Sequence, residues 1–355
     1  MAYTTIDDPT DYFNTVLYSG TGGTQSITGV GFQPDWVWIK NRSDTHQHVL
    51  SDSVRGTGKE LRTDITAAET TNNDITAFGS DGFSISSNGQ VSNNGDTYAA
   101  WNWKAGTSVS GNTGGSGTAK AYSGSVNTDA GFSIITYLGN GTAGHTIPHH
   151  LGVVPQMLIV KERANANSWY IYHHSLGNTK NQYLNTTHAE QTDGVWNDTT
   201  PTSSVFTVSD ADAINRDDGT TVAYCFAEKK GYSKFGSYIG NGNADGPFSF
   251  TGFKPAFVIL KNHSDAGAWI TIDNKRQGAT IGGNARAAST STSAIEANSV
   301  AIEAGAASGL VDILSNGFKV RETSADFNTS AKSYIYMAFA ENPFVTSKGV
   351  PATAR

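Results

Sequence analysis

Nine histidines stand in the chain, and most fall into groups with ligand-like spacing: His46 and His48 in HQH, His145 with His149 and His150 in HTIPHH, and His173 beside His174. A His-x-His on a strand places both rings on one face, where imidazoles suit a divalent metal. No acidic or cysteine set beside them completes a site, and none of the patterns recurs in the last third of the chain. The reading is therefore no metal. Acidic groups at Asp7 and Asp8, and at Asp210, Asp212, Asp217 and Asp218, are oxygen-rich, but SDADAINRDD lacks the glycine and terminal glutamate of an EF-hand. The single cysteine, Cys225, cannot form an intrachain disulfide and sits between Tyr224 and Phe226 as a small apolar strand residue. No G-x-S-x-G occurs. Gly58-Lys59 lacks the upstream glycine of a phosphate loop, and nothing selects a carboxylate pair for glycoside cleavage. An enzyme is not expected, nor a cofactor.

What the chain does carry is one pattern written three times. YSGTG, YLGNG and YIGNG begin at Tyr18, Tyr137 and Tyr238, with glycines at Gly20 and Gly22, Gly139 and Gly141, Gly240 and Gly242. Each copy then reaches a proline, Pro34, Pro155 or Pro255, and six residues later a lysine, Lys40, Lys161 or Lys261. TYAAWNWK, TVAYCFAE and SYIYMAFAE close the copies. The Y-x-G-x-G segment lacks the later glycine and helix of a dinucleotide fingerprint and reads as a tight turn with φ > 0. Each proline reads as the residue opening a strand, and each lysine as a charge guarding a strand edge. A tandem repeat multiplies one surface, which favours binding or assembly over catalysis.

Composition sets the fold class. The chain has 355 residues, 37% hydrophobic and only 15% charged, with 39 glycines. That is turn-rich β structure with an uncharged polar surface. The expectation is an all-β protein of three tandem antiparallel β-sandwiches, jelly-roll or lectin-like. The repeats span residues 1–106, 131–229 and 230–345, each with its own core. A Gly/Ser/Thr-rich flexible or loosely draped linker is expected at 107–130, giving copy one more freedom, and a C-terminal tail at 346–355. Ala and Glu content suggests a short helix over 289–304. The formal charge of -7 gives no reason to hold a nucleic acid, and no stretch approaches the ~20 apolar residues of a membrane span.

Aromatics are the remaining binding candidates. Trp36 with Trp38, and Trp101 with Trp103, point to one sheet face each and read as core. Trp196, in the loop GVWNDTT, together with Trp169 and Trp269, would offer a stacking surface for sugar or protein if exposed. Trp169 and Trp269 both lie eight residues beyond their lysine, where copy one has His48, so His48 reads as filling an aromatic packing position.

The phrases YFNTVLYSGTGGTQSITGVGFQPDWVWIKNRSDT, GDTYAAWNWKAG and AYCFAEKKGYSKFGSYIGNG resemble an abundant family of tailed-bacteriophage proteins, over about residues 10 to 345. The resemblance implies a virion structural protein, tail-fibre-like, made in the host cytoplasm. It defines no catalytic residues. It implies other virion proteins as partners, in tail or capsid, and a host-surface glycan or protein as ligand. A homo-oligomer, such as a trimer, follows from fibre architecture in general. A fibre or adhesin component is the leading expectation, a capsid decoration protein imitating a trimer is the alternative, and a glycan-degrading enzyme is the least favoured reading. A complete host-reaching fibre is not the expectation, since the sequence reads without an N-terminal anchoring region, coiled-coil heptads or a long β-helix.

Overall fold

The computed structural model of the chain describes residues 2–276, 293–305 and 310–352. It is nearly all β, with 43% strand and 3% helix, and every strand ladder is antiparallel. Each repeat pairs a large sheet with a three-stranded one. In repeat 1 the large sheet runs Phe13–Ser19, Thr97–Trp103, Trp36–Asn41, Val49–Asp52. Repeat 2 has the same order in Phe132–Leu138, Thr220–Phe226, Met157–Glu162, Tyr170–His173, and repeat 3 in Ser233–Ile239, Ser333–Pro343, Phe253–Asn262, Trp269–Asp273.

The central strands are buried on both faces, and this explains their unbroken apolar runs. Side chains alternate along a strand. In Trp36–Asn41, Val37 and Ile39 face the small sheet of their own repeat, while Trp36 and Trp38 point the other way. Met157 and Ile159, and Phe257 and Ile259, do the same. These inward faces meet in one cluster drawn from all three repeats, in which Trp36 stacks on Tyr224 at 4.7 Å and Phe13 on Phe339 at 5.2 Å. Each repeat thus has a private sandwich core and, beyond it, a share of a common centre. Copy one meets both other repeats in that cluster instead of being set apart from them.

The expected linker is also corrected. Thr107–Asn112 and Ala121–Asn127 are strands that extend the large sheet of repeat 2, and Gly114–Gly115 joins its small sheet. Its low apolar content misleads because backbone pairing carries the ribbon. Val126 reaches the sandwich core with Val109 and Tyr122 beside it. Glycine is required at Gly124, where an added Cβ would lie 2.3 Å from the Ile134 carbonyl oxygen. The helix expected over 289–304 is replaced, where described, by the strand Ser293–Glu296, paired with Trp269–Asp273. Burial of Ile295 in the common centre outweighs Ala/Glu propensity; 289–292 lie outside the described residues. In the tail, Ser347 donates from N and Oγ to the Asp7 carboxylate at 2.6 and 2.5 Å.

Only half of the turn reading of Y-x-G-x-G holds. Gly22, Gly141 and Gly242 have φ of 75°, 63° and 68°. Gly20, Gly139 and Gly240 serve close approach instead, since a Cβ on each would come within 2.1 to 2.2 Å of a carbonyl oxygen. The tyrosines share one role: Tyr18, Tyr137 and Tyr238 donate from OH to the carbonyls of Val91, Ile214 and Phe327 at 2.9, 2.6 and 2.8 Å. Pro34 and Pro155 precede their strands, whereas Pro255 sits inside Phe253–Asn262 at a register shift.

Candidate functional site at the repeat seams

Polar chemistry concentrates where one repeat meets the next, and matching positions meet at each of the three seams. Twelve residues past each repeat lysine stand Asp52, His173 and Asp273, and three further on Arg55, Leu176 and Arg276. The carboxylate of Asp52 accepts from Arg55 Nε at 2.5 Å and from the Tyr224 hydroxyl of repeat 2 at 2.7 Å. Asp273 accepts from Arg276 Nε at 2.5 Å and from Trp101 Nε1 of repeat 1 at 2.9 Å. At the remaining seam, repeat 3 places Met337 where the others have Tyr224 and Trp101, judged by register against Ile259, Ile159 and Trp38. Methionine has no donor, and there the ion pair is absent: His173 Nε2 donates to the Tyr336 carbonyl at 3.2 Å and Leu176 packs on the common centre.

A second ring runs beside the first. Arg163 grips Glu69 of repeat 1 at 2.8 and 2.9 Å, Arg42 grips Glu303 of repeat 3 at 2.6 Å, and His263 Nδ1 meets Glu190 of repeat 2 at 2.8 Å. In every case the glutamate N–H also donates to the backbone carbonyl of its partner. A third ring uses the aromatic position: His48 Nε2, Trp169 Nε1 and Trp269 Nε1 donate to the carbonyls of Glu296, Arg62 and Tyr183 at 3.0, 2.8 and 2.9 Å, each in another repeat.

Trp169, Trp196 and Trp269 are all buried and so offer no stacking surface. Trp196 fills the repeat 2 core against Tyr172, because its loop folds over the sandwich. The lysines guard no edge. Lys40, Lys161 and Lys261 are fully buried, with Nζ donating to the carbonyls of Asn41, Glu162 and Asn262 at 2.6 to 2.7 Å. Lys40 also reaches Val300 of repeat 3, and Lys261 reaches Thr187 of repeat 2. Burial pulls all three ammonium groups down to about 8.

The histidine groups resolve into separate structural roles. His145 is bonded to Asn215 and Thr113, His149 to Thr202, His150 to Tyr122 and His174 to Phe235. His46 and His48 do not share a face, since His48 turns inward onto Trp38. Asp217 and Asp218 hold Lys120 of the ribbon, and burial pushes the Cys225 thiol up to about 12. The glutamates Glu69, Glu190 and Glu303 escaped the sequence reading, although the first two lie 29 residues beyond their lysines and the third 42. Matching positions across the copies would have found Glu69 and Glu190.

Repeat 1 contains one arrangement that repeat 2 lacks. Glu60 and Asp74 are both buried, neither Asp74 oxygen receives a hydrogen bond, and Arg62 pairs with Glu60. Burial, with Asp74 beside it, raises Glu60 well above 4.5, so the folded chain holds a proton there that the unfolded chain releases. Stability from this pair is present below the unfolded value and falls as pH rises through neutrality. Repeat 2 has Val195 at the position of Asp74. Asp74→Val leaves Glu60 buried and is expected to reduce, by the share Asp74 contributes, a loss of ~2 kcal/mol between about pH 6.5 and 8. Urea midpoints of both proteins at the two pH values check this; an equal decline in the variant refutes it.

These seams hold groups in place: the Asp52 and Asp273 ion pairs are wholly buried, while the side chains of the second ring keep 10% to 29% exposure. The chain belongs to the family described as a domain of unknown function, DUF7483, whose match spans residues 8–343 and so takes in all three repeats and the ribbon. No curated protein and no solved structure matches it.

Proposed function

We propose that the chain is a non-enzymatic structural protein of a tailed-phage particle, acting as a single-chain trimer on a threefold-symmetric partner. The observation that carries this reading is the closed ring of seams: repeat 1 grips repeat 2, repeat 2 grips repeat 3, and repeat 3 grips repeat 1 through matching positions. Closed cyclic symmetry within one polypeptide suits a threefold or quasi-threefold position on a capsid shell. The phage assignment itself rests on the sequence resemblance. A second reading, a tail-fibre or adhesin component contacting the host, is favoured by a feature of one repeat alone: Phe248 and Phe250 are 44% and 56% exposed on the edge strand Phe248–Phe250. Exposed aromatics on one repeat favour an asymmetric contact.

Copy number per purified virion, by quantitative mass spectrometry against the major capsid protein, tests both. Hundreds of copies are expected for a shell protein, and tens or fewer would move it to the tail. Absence from particles would end the structural reading.

A further inference from the structure

The three repeats treat one surface position differently, and the difference in repeat 1 calls for a cation. In each repeat the residue after the buried lysine caps a turn with its side chain. Asn41 Oδ1 accepts from Ser43 N and Asp44 N, Asn262 Oδ1 from Ser264 N and Asp265 N, and Glu162 from Ala164 N and Asn165 N. Asp44, Asp265 and Asn165 are thereby held at matching places. Facing them across the sheet end, two residues before Tyr98 and Tyr334 in equivalent register, stand Asp96 in repeat 1 and Lys332 in repeat 3. Gly219 takes that place in repeat 2. Repeat 3 is neutralised internally, with Lys332 Nζ 2.7 Å from Asp265. Repeat 2 presents an uncharged pair. Repeat 1 opposes carboxylate to carboxylate and adds His46, so that one ligand atom from each of Asp44, His46 and Asp96 lies within 4.8 Å of the others.

The remaining hydrogen bonds orient this group without using it up. Asp96 Oδ2 accepts from Asn41 Nδ2 at 2.8 Å and Asn93 Nδ2 at 2.9 Å, which leaves Oδ1. Asp44 Oδ1 accepts from Thr45 N at 2.7 Å, which leaves Oδ2 at 3.8 Å from His46 Nε2. The geometry points to a divalent transition-metal site in which Asp44, His46 and Asp96 bind a Zn²⁺-class ion, the exchangeable counterpart of the Lys332 ammonium. One imidazole and two carboxylates suit such an ion, and the half-exposed position leaves room for water to complete its shell. Bound there, the ion ties the turn at 41–46 to the turn at 93–96, as Lys332 ties its own pair. The inference is independent of the virion reading.

Isothermal titration of the full chain with Zn²⁺, with Co²⁺ visible absorption as a second readout, is expected to give one site per chain. His46→Gln and Asp44→Asn should each weaken it by about tenfold or more, as loss of a ligand or its support does. Neither side chain supports the core. Asp96→Lys, which copies repeat 3, should abolish binding while keeping the thermal midpoint independent of metal. Full affinity in His46→Gln or Asp44→Asn would overturn the site, as would a preference for Ca²⁺ over Zn²⁺ or no binding by the unaltered chain.

Discussion

Arg55→Leu is expected to cost about 3–5 kcal/mol of stability, because it leaves the Asp52 carboxylate buried at the seam without its counter-ion. Arg55 and Asp52 side chains are wholly inaccessible, and Arg55 also donates to Glu69 at 2.9 Å and to the Leu50 carbonyl at 3.1 Å. One substitution therefore strands the Asp52 carboxylate and takes one partner each from Glu69, which keeps Arg163, and from the Leu50 carbonyl, which keeps Leu61 N. The seam between repeats 2 and 3 shows how the same space is filled without charge, with His173, Leu176 and Met337 in place of Asp52, Arg55 and Tyr224. Arg55→Leu combined with Asp52→His and Tyr224→Met is expected to recover most of the loss, since an apolar replacement of a buried ion pair is often close to neutral. Urea unfolding of the single and triple variants decides the matter: a triple variant as unstable as the single one would show that the seams are not interchangeable.

The strands and the repeat were legible in sequence because both are local. Alternation along Trp36–Asn41 and the turn glycines recur at fixed spacing, and proximity in sequence reports them faithfully. What the strands bury on their second face was not legible. Trp36 and Trp101 read as core without revealing that the core belongs to three repeats at once, because their partners Tyr224 and Phe257 lie far along the chain. The ribbon at 107–127 failed for a related reason: glycine and serine composition reports flexibility only when the backbone has nothing to pair with, and Phe132–Leu138 offers a full edge. The seam residues were visible as types yet silent as partners. Asp52, Arg55 and Glu69 look like ordinary surface charges until the fold removes water from them.

Lowering the pH from about 6.5 to about 3 is expected to open the seams through His48 and His173, whose pKa values burial lowers to about 3. In the folded chain both rings carry their proton on Nε2, which donates to Glu296 O and Tyr336 O. Nδ1 accepts, from Trp38 Nε1 at 2.8 Å in one case and from Ser175 N at 3.2 Å in the other. A second proton would set donor against donor in a dry site. The unfolded chain takes up that proton near 6.5, so stability is fully present above this value and is lost as pH falls toward the folded value, by roughly 4–5 kcal/mol for each histidine. Repeats 2 and 3 solve the His48 position another way: the pair Trp38 and His48 becomes Ile159 and Trp169, then Ile259 and Trp269. Large and small exchange places while the donor to the neighbouring repeat is kept. Trp38→Ile alone should leave a cavity and an unmatched imidazole, costing about 3–5 kcal/mol, and His48→Trp alone should overpack by about 1–3 kcal/mol. Together they should approach wild-type stability at neutral pH and lose the part of the acid sensitivity that belongs to His48, the remainder resting with His173 and with His149, which burial lowers to about 4. Tryptophan fluorescence followed through an acid titration measures both quantities, and additive losses in the double variant, with an unchanged acid midpoint, would refute the exchange.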